Sequence, residues 1–211
     1  MRQTNKIRKG IAWLICTVLV LGILPMLPQM SMQISAAENA ASVFVDGVEL
    51  HAGGKKYFKN GDTADSGATG TDEDHSAYYD TAGELWLNNL EAHTIKANGN
   101  LTIYVCNNQE TNTNIVTATQ NETAIEVTGY LTIQYGGYGE TGSLTVESDG
   151  KEAIQAGSGM TVSDGVEVKV RAKSGATAIS SGGVLKIDGI RTKLEAASDG
   201  STGKGIFAQQ S

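Results

Sequence analysis

Few residues in this 211-residue chain are of types and spacings that could do chemistry. His51, His75 and His93 are scattered and fit no zinc-ligand pattern. The chain has no Gly-x-Ser-x-Gly, no phosphate-binding glycine loop and no Cys-x-x-Cys, so nucleophilic hydrolysis has no support. Cys16 lies in an N-terminal apolar run. Cys106 closes Leu101-Thr-Ile-Tyr-Val-Cys106, where it reads as strand filler with no partner for a disulfide. Oxygen ligands are more numerous. Ser148-Asp149-Gly150, Ser163-Asp164-Gly165 and Ser198-Asp199-Gly200 repeat one tripeptide. Gly supplies positive φ and Asp caps its own turn; the same oxygens could serve a cation. Asp164 and Asp188 fall at nearly equivalent positions of a repeat, about 5 Å apart if their strands are neighbours, with Arg191 close in sequence. Carboxylates facing an Arg suit a polysaccharide lyase; turn aspartates and a solvated Arg account for the same pattern.

The aromatic residues point to a different chemistry. Trp86 lies between Leu85 and Leu87, and Tyr104 follows Ile103, so both face outward if the aliphatic residues face in. Tyr130, Tyr135 and Tyr138 cluster around the turn after the next strand. Rings on a rigid surface can stack on sugar faces. They can also shield the flank of the fold or pack a loop.

The elements that must position these residues are short strands in a repeat. Thr123-Ala-Ile125, Glu152-Ala-Ile154, Thr177-Ala-Ile179 and Lys204-Gly-Ile206 read alike, with isoleucines 29, 25 and 27 residues apart; Thr94-Ile95 is a weaker copy 30 residues earlier. Each copy is followed by a second pattern: Leu101-Thr-Ile103, Leu131-Thr-Ile133, Met160-Thr-Val162 and Leu185-Lys-Ile187, preceded by Gly99, Gly129, Gly159 and Gly183. A third closes the period: Leu85-Trp-Leu87, Leu144-Thr-Val146, Val168-Lys-Val170 and Leu194-Glu-Ala196, with Ile115 holding that place imperfectly. Alternation over three to five residues predicts half-buried strands. A β-sandwich has no reason to repeat one three-strand phrase in register. A parallel β-helix does, because each coil stacks on the last and equivalent side chains pile up. The expected fold is therefore all-β, a parallel β-helix of about four to five rungs over residues 83–211, after a short N-terminal β-hairpin region. In this reading Ile125, Ile154 and Ile179 sit above one another.

Residues 38–82 read as a separate N-terminal region. Val43 to Val48 forms a hairpin around Asp46-Gly47. Residues 60–75, with Asp62, Asp65, Asp72, Glu73 and Asp74 and no aliphatic residue larger than Ala, read as a mobile acidic loop. Residues 1–37 read as a secretory signal. Arg2, Lys6, Arg8 and Lys9 precede an apolar run from Ile11 to Leu27, and Ser35-Ala36-Ala37 offers a cleavage site. Its removal takes four basic and no acidic residues, so a net charge of −7 becomes −11. Such a surface repels nucleic acid and anionic lipid and suits a secreted protein with no membrane association after cleavage. The pattern stops at Ser211, just after Ile206 opens a new rung. That points to a piece of a longer solenoid or to end-to-end self-association through an open edge.

The phrases Gly83-Glu-Leu-Trp-Leu-Asn-Asn-Leu90, Ile95, Asn98-Gly-Asn-Leu-Thr-Ile103, Ala124-Ile-Glu-Val-Thr-Gly-Tyr-Leu-Thr-Ile133 and Gly142-Ser-Leu-Thr-Val146 carry a resemblance, as does the opening Val45-Asp-Gly-Val-Glu-Leu50. Over about residues 43–211 the chain resembles secreted carbohydrate-binding domain-containing proteins of Gram-positive anaerobes. That resemblance implies a right-handed parallel β-helix similar in shape to pectate lyases. It also implies secreted or cell-surface binding of acidic plant polysaccharide, with calcium as cofactor. By rung position alone, Asp149, Asp164 and Asp188 are the aspartates placed to hold calcium. The later rungs of longer family members are absent, and a cleft built from them would be missing.

The leading expectation is thus non-catalytic polysaccharide binding through Trp86, Tyr104, Tyr130, Tyr135 and Tyr138. A structural or adhesin-like surface solenoid is the alternative, and a lyase-like enzyme the second alternative.

Overall fold

A computed structural model describes residues 38–106, 113–137 and 141–209. The described residues are all-β and contain no helix. Three sheets run side by side along a common stack. Sheet I contains, in coil order, β5 (Glu84–Asn88), β8 (Leu101–Cys106), β11 (Tyr130–Tyr135), β14 (Gly159–Ser163) and β17 (Leu185–Ile187). Sheet II contains β6 (Glu91–Ala92), β9 (Asn114–Gln120), β12 (Gly142–Asp149), β15 (Val166–Lys173) and β18 (Lys193–Ser198). Sheet III contains β7 (Ile95–Ala97), β10 (Ile125–Val127), β13 (Ile154–Ala156), β16 (Ile179–Ser181) and β19 (Ile206–Ala208). The chain visits sheets I, II and III in turn and returns beside its own previous strand, always parallel. This is a parallel β-solenoid, with four turns separating β5 from β17.

The register explains why the sequence repeats. Ile95, Ile125, Ile154, Ile179 and Ile206 are successive partners, and Leu101, Leu131, Met160 and Leu185 form a second column. From Ile95 to Ile179 the isoleucines are fully buried, whereas Ile206 in the last described coil is 44% exposed. A single coil cannot enclose its own apolar side chains; each is covered only by the coils on either side.

Two sequence assignments are corrected by this register. Leu85-Trp86-Leu87 belongs to sheet I, where Leu85 pairs with Ile103 and Trp86 with Tyr104, and not to the third pattern. Leu-x-Leu alternation is common to both sheets, and only the pairing distinguishes them. The third strand of that coil is the two-residue β6, which pairs with Ile115 and Val116. Ile115 also leaves the inward column. It pairs with the outward Thr145, and Asn114 takes the place beside Leu144. Asn114 is fully buried. Its Oδ1 accepts the Leu90 amide at 3.0 Å, and its Nδ2 donates to the carbonyls of Cys106 at 3.3 Å and Ser143 at 3.4 Å. An amide is tolerated in the core because it satisfies backbone groups at the corner where the ladder is interrupted.

The corner between sheets III and I is tight. A Cβ on Gly157 would lie 2.1 Å from the Thr128 carbonyl oxygen of the coil before, and one on Gly182 would lie 1.9 Å from that of Gly157. The Gly157 amide donates to Val127 and the Gly182 amide to Ala156, so the ladder continues through the bend. No side chain fits between carbonyls held at that distance.

The N-terminal region closes the stack with antiparallel strands. β1 (Ser42–Val45) and β2 (Val48–His51) form the expected hairpin, with Asp46 at φ 50° and Gly47 at φ 77°, and β1 pairs antiparallel with β7. β3 (Tyr57–Phe58) and β4 (Ala77–Tyr79) extend sheet I in the same way, with β4 antiparallel to β5. The acidic loop expected to be mobile is anchored by Asp62, which is 5% exposed. Its carboxylate accepts the amides of Lys59 and Thr69, each at 2.9 Å, and the Thr69 hydroxyl. Burial alone would raise its pKa; these hydrogen bonds outweigh that and hold it below the usual aspartate value.

Gly157→Ala is expected to lower stability by about 1–3 kcal/mol through overpacking, measured as the urea midpoint. Asn114→Leu adds apolar volume but orphans the Leu90 amide and two carbonyls. A loss of about 1–3 kcal/mol is expected in the same assay.

Candidate functional site

The pleat of sheet I turns every second residue outward. Phe58, Ala77, Tyr79, Leu85, Leu87 and Ile103 are buried, and Tyr57, Tyr78, Trp86 and Tyr104 alternate with them on the outer face. Pairing then aligns the four rings. Tyr57 is the partner of Tyr78, Tyr78 of Trp86, and Trp86 of Tyr104. One ring per strand at the usual strand spacing makes a row about 14 Å long, running along the solenoid axis. Within it the Trp86 and Tyr104 rings stack with centroids 4.1 Å apart and planes 9° apart. Tyr57 and Tyr78 stack at 5.0 Å and 21°, with the His75 ring 5.2 Å from Tyr57. All four rings are half-buried.

Carboxylates flank the row. Asp80 lies in the β4–β5 turn, where Oδ1 accepts the amides of Ala82 at 2.8 Å and Glu84 at 3.0 Å, and Oδ2 accepts Trp86 Nε1 at 3.4 Å. Glu84 Oε1 accepts the Tyr104 hydroxyl at 3.4 Å. Burial pushes the Glu84 carboxyl above the ordinary glutamate value, and the neighbouring Asp80 adds to this. Burial likewise raises the Tyr104 phenol, with the Glu84 charge reinforcing it. At the other end of the row the Tyr57 hydroxyl donates to Asp72 at 3.0 Å.

Beyond Tyr104 the same face turns polar. Gln134 is in register with Tyr104, and Thr102, Thr132 and Thr161 form a column beside it. Gly136 follows β11; a Cβ there would come within 2.7 Å of the Tyr104 ring and 2.9 Å of Trp86, so its bare backbone leaves room for both rings.

Of the aromatic residues singled out in the sequence, Trp86 and Tyr104 meet. Tyr130 also faces outward, but it is paired with Gly159 and not aligned with the row. Its hydroxyl lies 2.7 Å from Thr161 Oγ1, and a Cβ on Gly159 would fall 2.6 Å from its ring; Tyr130 thus covers that glycine. Tyr135 is a correction. It pairs with the inward Val105 and packs against the core, because it follows the outward Gln134 in the alternation. Tyr138 lies outside the described residues. Sequence reading missed Tyr57 and Tyr78, whose membership depends on antiparallel pairing across the loop of residues 59–76.

The aspartates expected to hold calcium do not converge. Asp149 ends β12 and accepts the Ser174 hydroxyl. Asp164 precedes β15 at the opposite corner of sheet II, roughly 25 Å away at the usual rise of an eight-residue strand. Asp188 is on the coil after Asp164, but Lys186 Nζ lies 2.6 Å from its Oδ2, and this hydrogen bond holds its carboxyl below the usual range. Among the described residues no three His, Cys, Asp or Glu side chains are grouped to hold a metal ion. A separate groove, where β1 meets β7 and β9, is lined by Phe44, Asp46, His93, Lys96, Thr119 and Glu122. There Asp46 is committed to the amides of His93 and Thr94, and Glu122 to Lys96.

Comparison of the chain with protein-family models, with curated proteins and with solved structures finds no match.

The raised Glu84 carboxyl has a consequence for stability. The folded protein holds the Glu84 proton to higher pH than the unfolded chain does, so stability falls as pH rises from the ordinary glutamate value through the raised one. Glu84→Gln is expected to match the wild-type melting temperature at low pH and exceed it above that window, as read by circular dichroism melts across pH.

Proposed function

We propose that this protein is a non-catalytic glycan-binding β-solenoid, and that the N-terminal half of the outer face of sheet I is its contact surface. The aligned ring row of Tyr57, Tyr78, Trp86 and Tyr104 is the observation that carries this reading. Rings fixed on a rigid ladder present apolar surface with no loss of side-chain freedom on binding. Sugar C–H faces can pack against them while Asp80, Glu84, Gln134 and the threonine column supply acceptors and donors for hydroxyl groups. A binding role fits a leader over residues 1–37 and secretion, as the sequence suggests. A purely structural solenoid is the second reading, favoured by the mutual stacking of Trp86 and Tyr104, which is how a stabilising cross-strand pair behaves.

Affinity gel electrophoresis separates the two. Retardation is expected in at least one gel of a panel holding cellulosic, chitosan, xylan or polygalacturonate chains. Trp86→Ala with Tyr104→Ala should abolish it while the circular dichroism spectrum stays that of a β-protein. Unretarded migration in every gel would favour the structural reading, and retardation untouched by the double substitution would remove the ring row as the contact surface. Repeating the gels with EDTA tests whether calcium contributes.

A further inference from the structure

The charge around the row narrows the glycan class. We propose that the chain held on this face carries amine groups, and that Asp80 and Glu84 receive them. This rests on the ring row being a sugar platform. Each acid lies within one hydrogen bond of a stacked ring, Asp80 through Trp86 Nε1 and Glu84 through the Tyr104 hydroxyl. Among the described residues neither takes part in an ion pair. The two therefore place negative charge side by side with no protein cation to offset it. The outward residues of β3, β4, β5, β8 and β11 include no Lys or Arg. Of the basic side chains around the row, Lys59 is held by Asp74 and Lys186 on the far strand β17 by Asp188, while Lys55 and Lys56, which precede Tyr57, form no ion pair with either acid. Asp72 adds a third carboxylate at the Tyr57 end.

Such a surface selects by sign. A uronate polymer would bring a negative charge on each unit against these acids and lose affinity. A neutral chain gains only the ring contacts and ordinary hydrogen bonds. An amino-sugar chain adds charge-assisted hydrogen bonds to Asp80 and Glu84. The rings succeed one another along the solenoid axis, so the chain lies across the strands.

Isothermal titration calorimetry near neutral pH, and not in acid, which would protonate the raised Glu84 carboxyl, tests this with tetramers of glucosamine, N-acetylglucosamine, glucose (β-1,4) and galacturonate. The glucosamine tetramer is expected to bind about tenfold tighter than the neutral tetramers, the effect of one charge-assisted hydrogen bond, and the galacturonate tetramer most weakly. Glu84→Gln, which keeps the shape and a hydrogen-bond acceptor, should shrink the glucosamine tetramer's advantage over the neutral ones. A melt of the same variant reports that it is folded. Equal affinity for charged and neutral tetramers, a preference undiminished by Glu84→Gln, or tightest binding of galacturonate would overturn the amine assignment and leave the platform standing. No binding by any tetramer, or binding unaffected by Trp86→Ala, would overturn the platform reading as well.

Discussion

In-register stacking of parallel strands is the constraint on which the molecule depends. Each backbone N–H and C=O in a coil finds its partner in the coils on either side, so a residue's neighbours are fixed by its place in the repeat. The interior becomes columns of like residues, the isoleucines of sheet III and the leucines of sheet I. The exterior becomes columns too. A row of rings on the outside is the same device as a column of isoleucines on the inside, applied to the other face of the pleat. Nothing in the core specifies which residues stand outside, so the outer face of sheet I can carry a recognition surface without altering the packing beneath it.

The same constraint explains where the sequence departs from its own repeat. Glycine at positions 157 and 182 reflects carbonyl oxygens of neighbouring coils that leave no space for a Cβ. Asn114 stands in an apolar column because a corner interrupts the ladder and leaves amide and carbonyl groups to be satisfied. Asp62 holds down a loop without aliphatic residues by doing for amides what strands do elsewhere. Each is a local answer to the requirement that buried polar groups be paired.

The solenoid was legible in the sequence because its period is written in residue types: Ile125, Ile154 and Ile179 recur at one point of each coil and do sit in register. Trp86 and Tyr104 were legible as outward residues for the same reason, local alternation. What could not be read was pairing between distant strands. Leu85 and Leu87 looked like members of the third pattern because Leu-x-Leu carries no mark of its sheet. Tyr57 and Tyr78 join the ring row through antiparallel pairing, which has no period to betray it. Tyr135 stands out in the sequence for its nearness to a turn, but its parity along β11 turns it toward the core. Ser148-Asp149-Gly150 and Ser163-Asp164-Gly165 share a tripeptide but not a corner, since equal turn chemistry recurs at different vertices of the coil.

The antiparallel strands β1 and β2 on sheet III, with β3 and β4 on sheet I, also give the molecule a direction. Parallel coils offer identical edges above and below and, left alone, would set no starting phase. Hairpins of opposite strand sense seal one end and dictate which residue of β5 and β7 meets the cap. This cap fixes the phase of the first coil, so a slip by one residue in β5 or β7 would shift every later coil stacked on it in register. Fidelity of the whole column is thereby delegated to a few residues at its base.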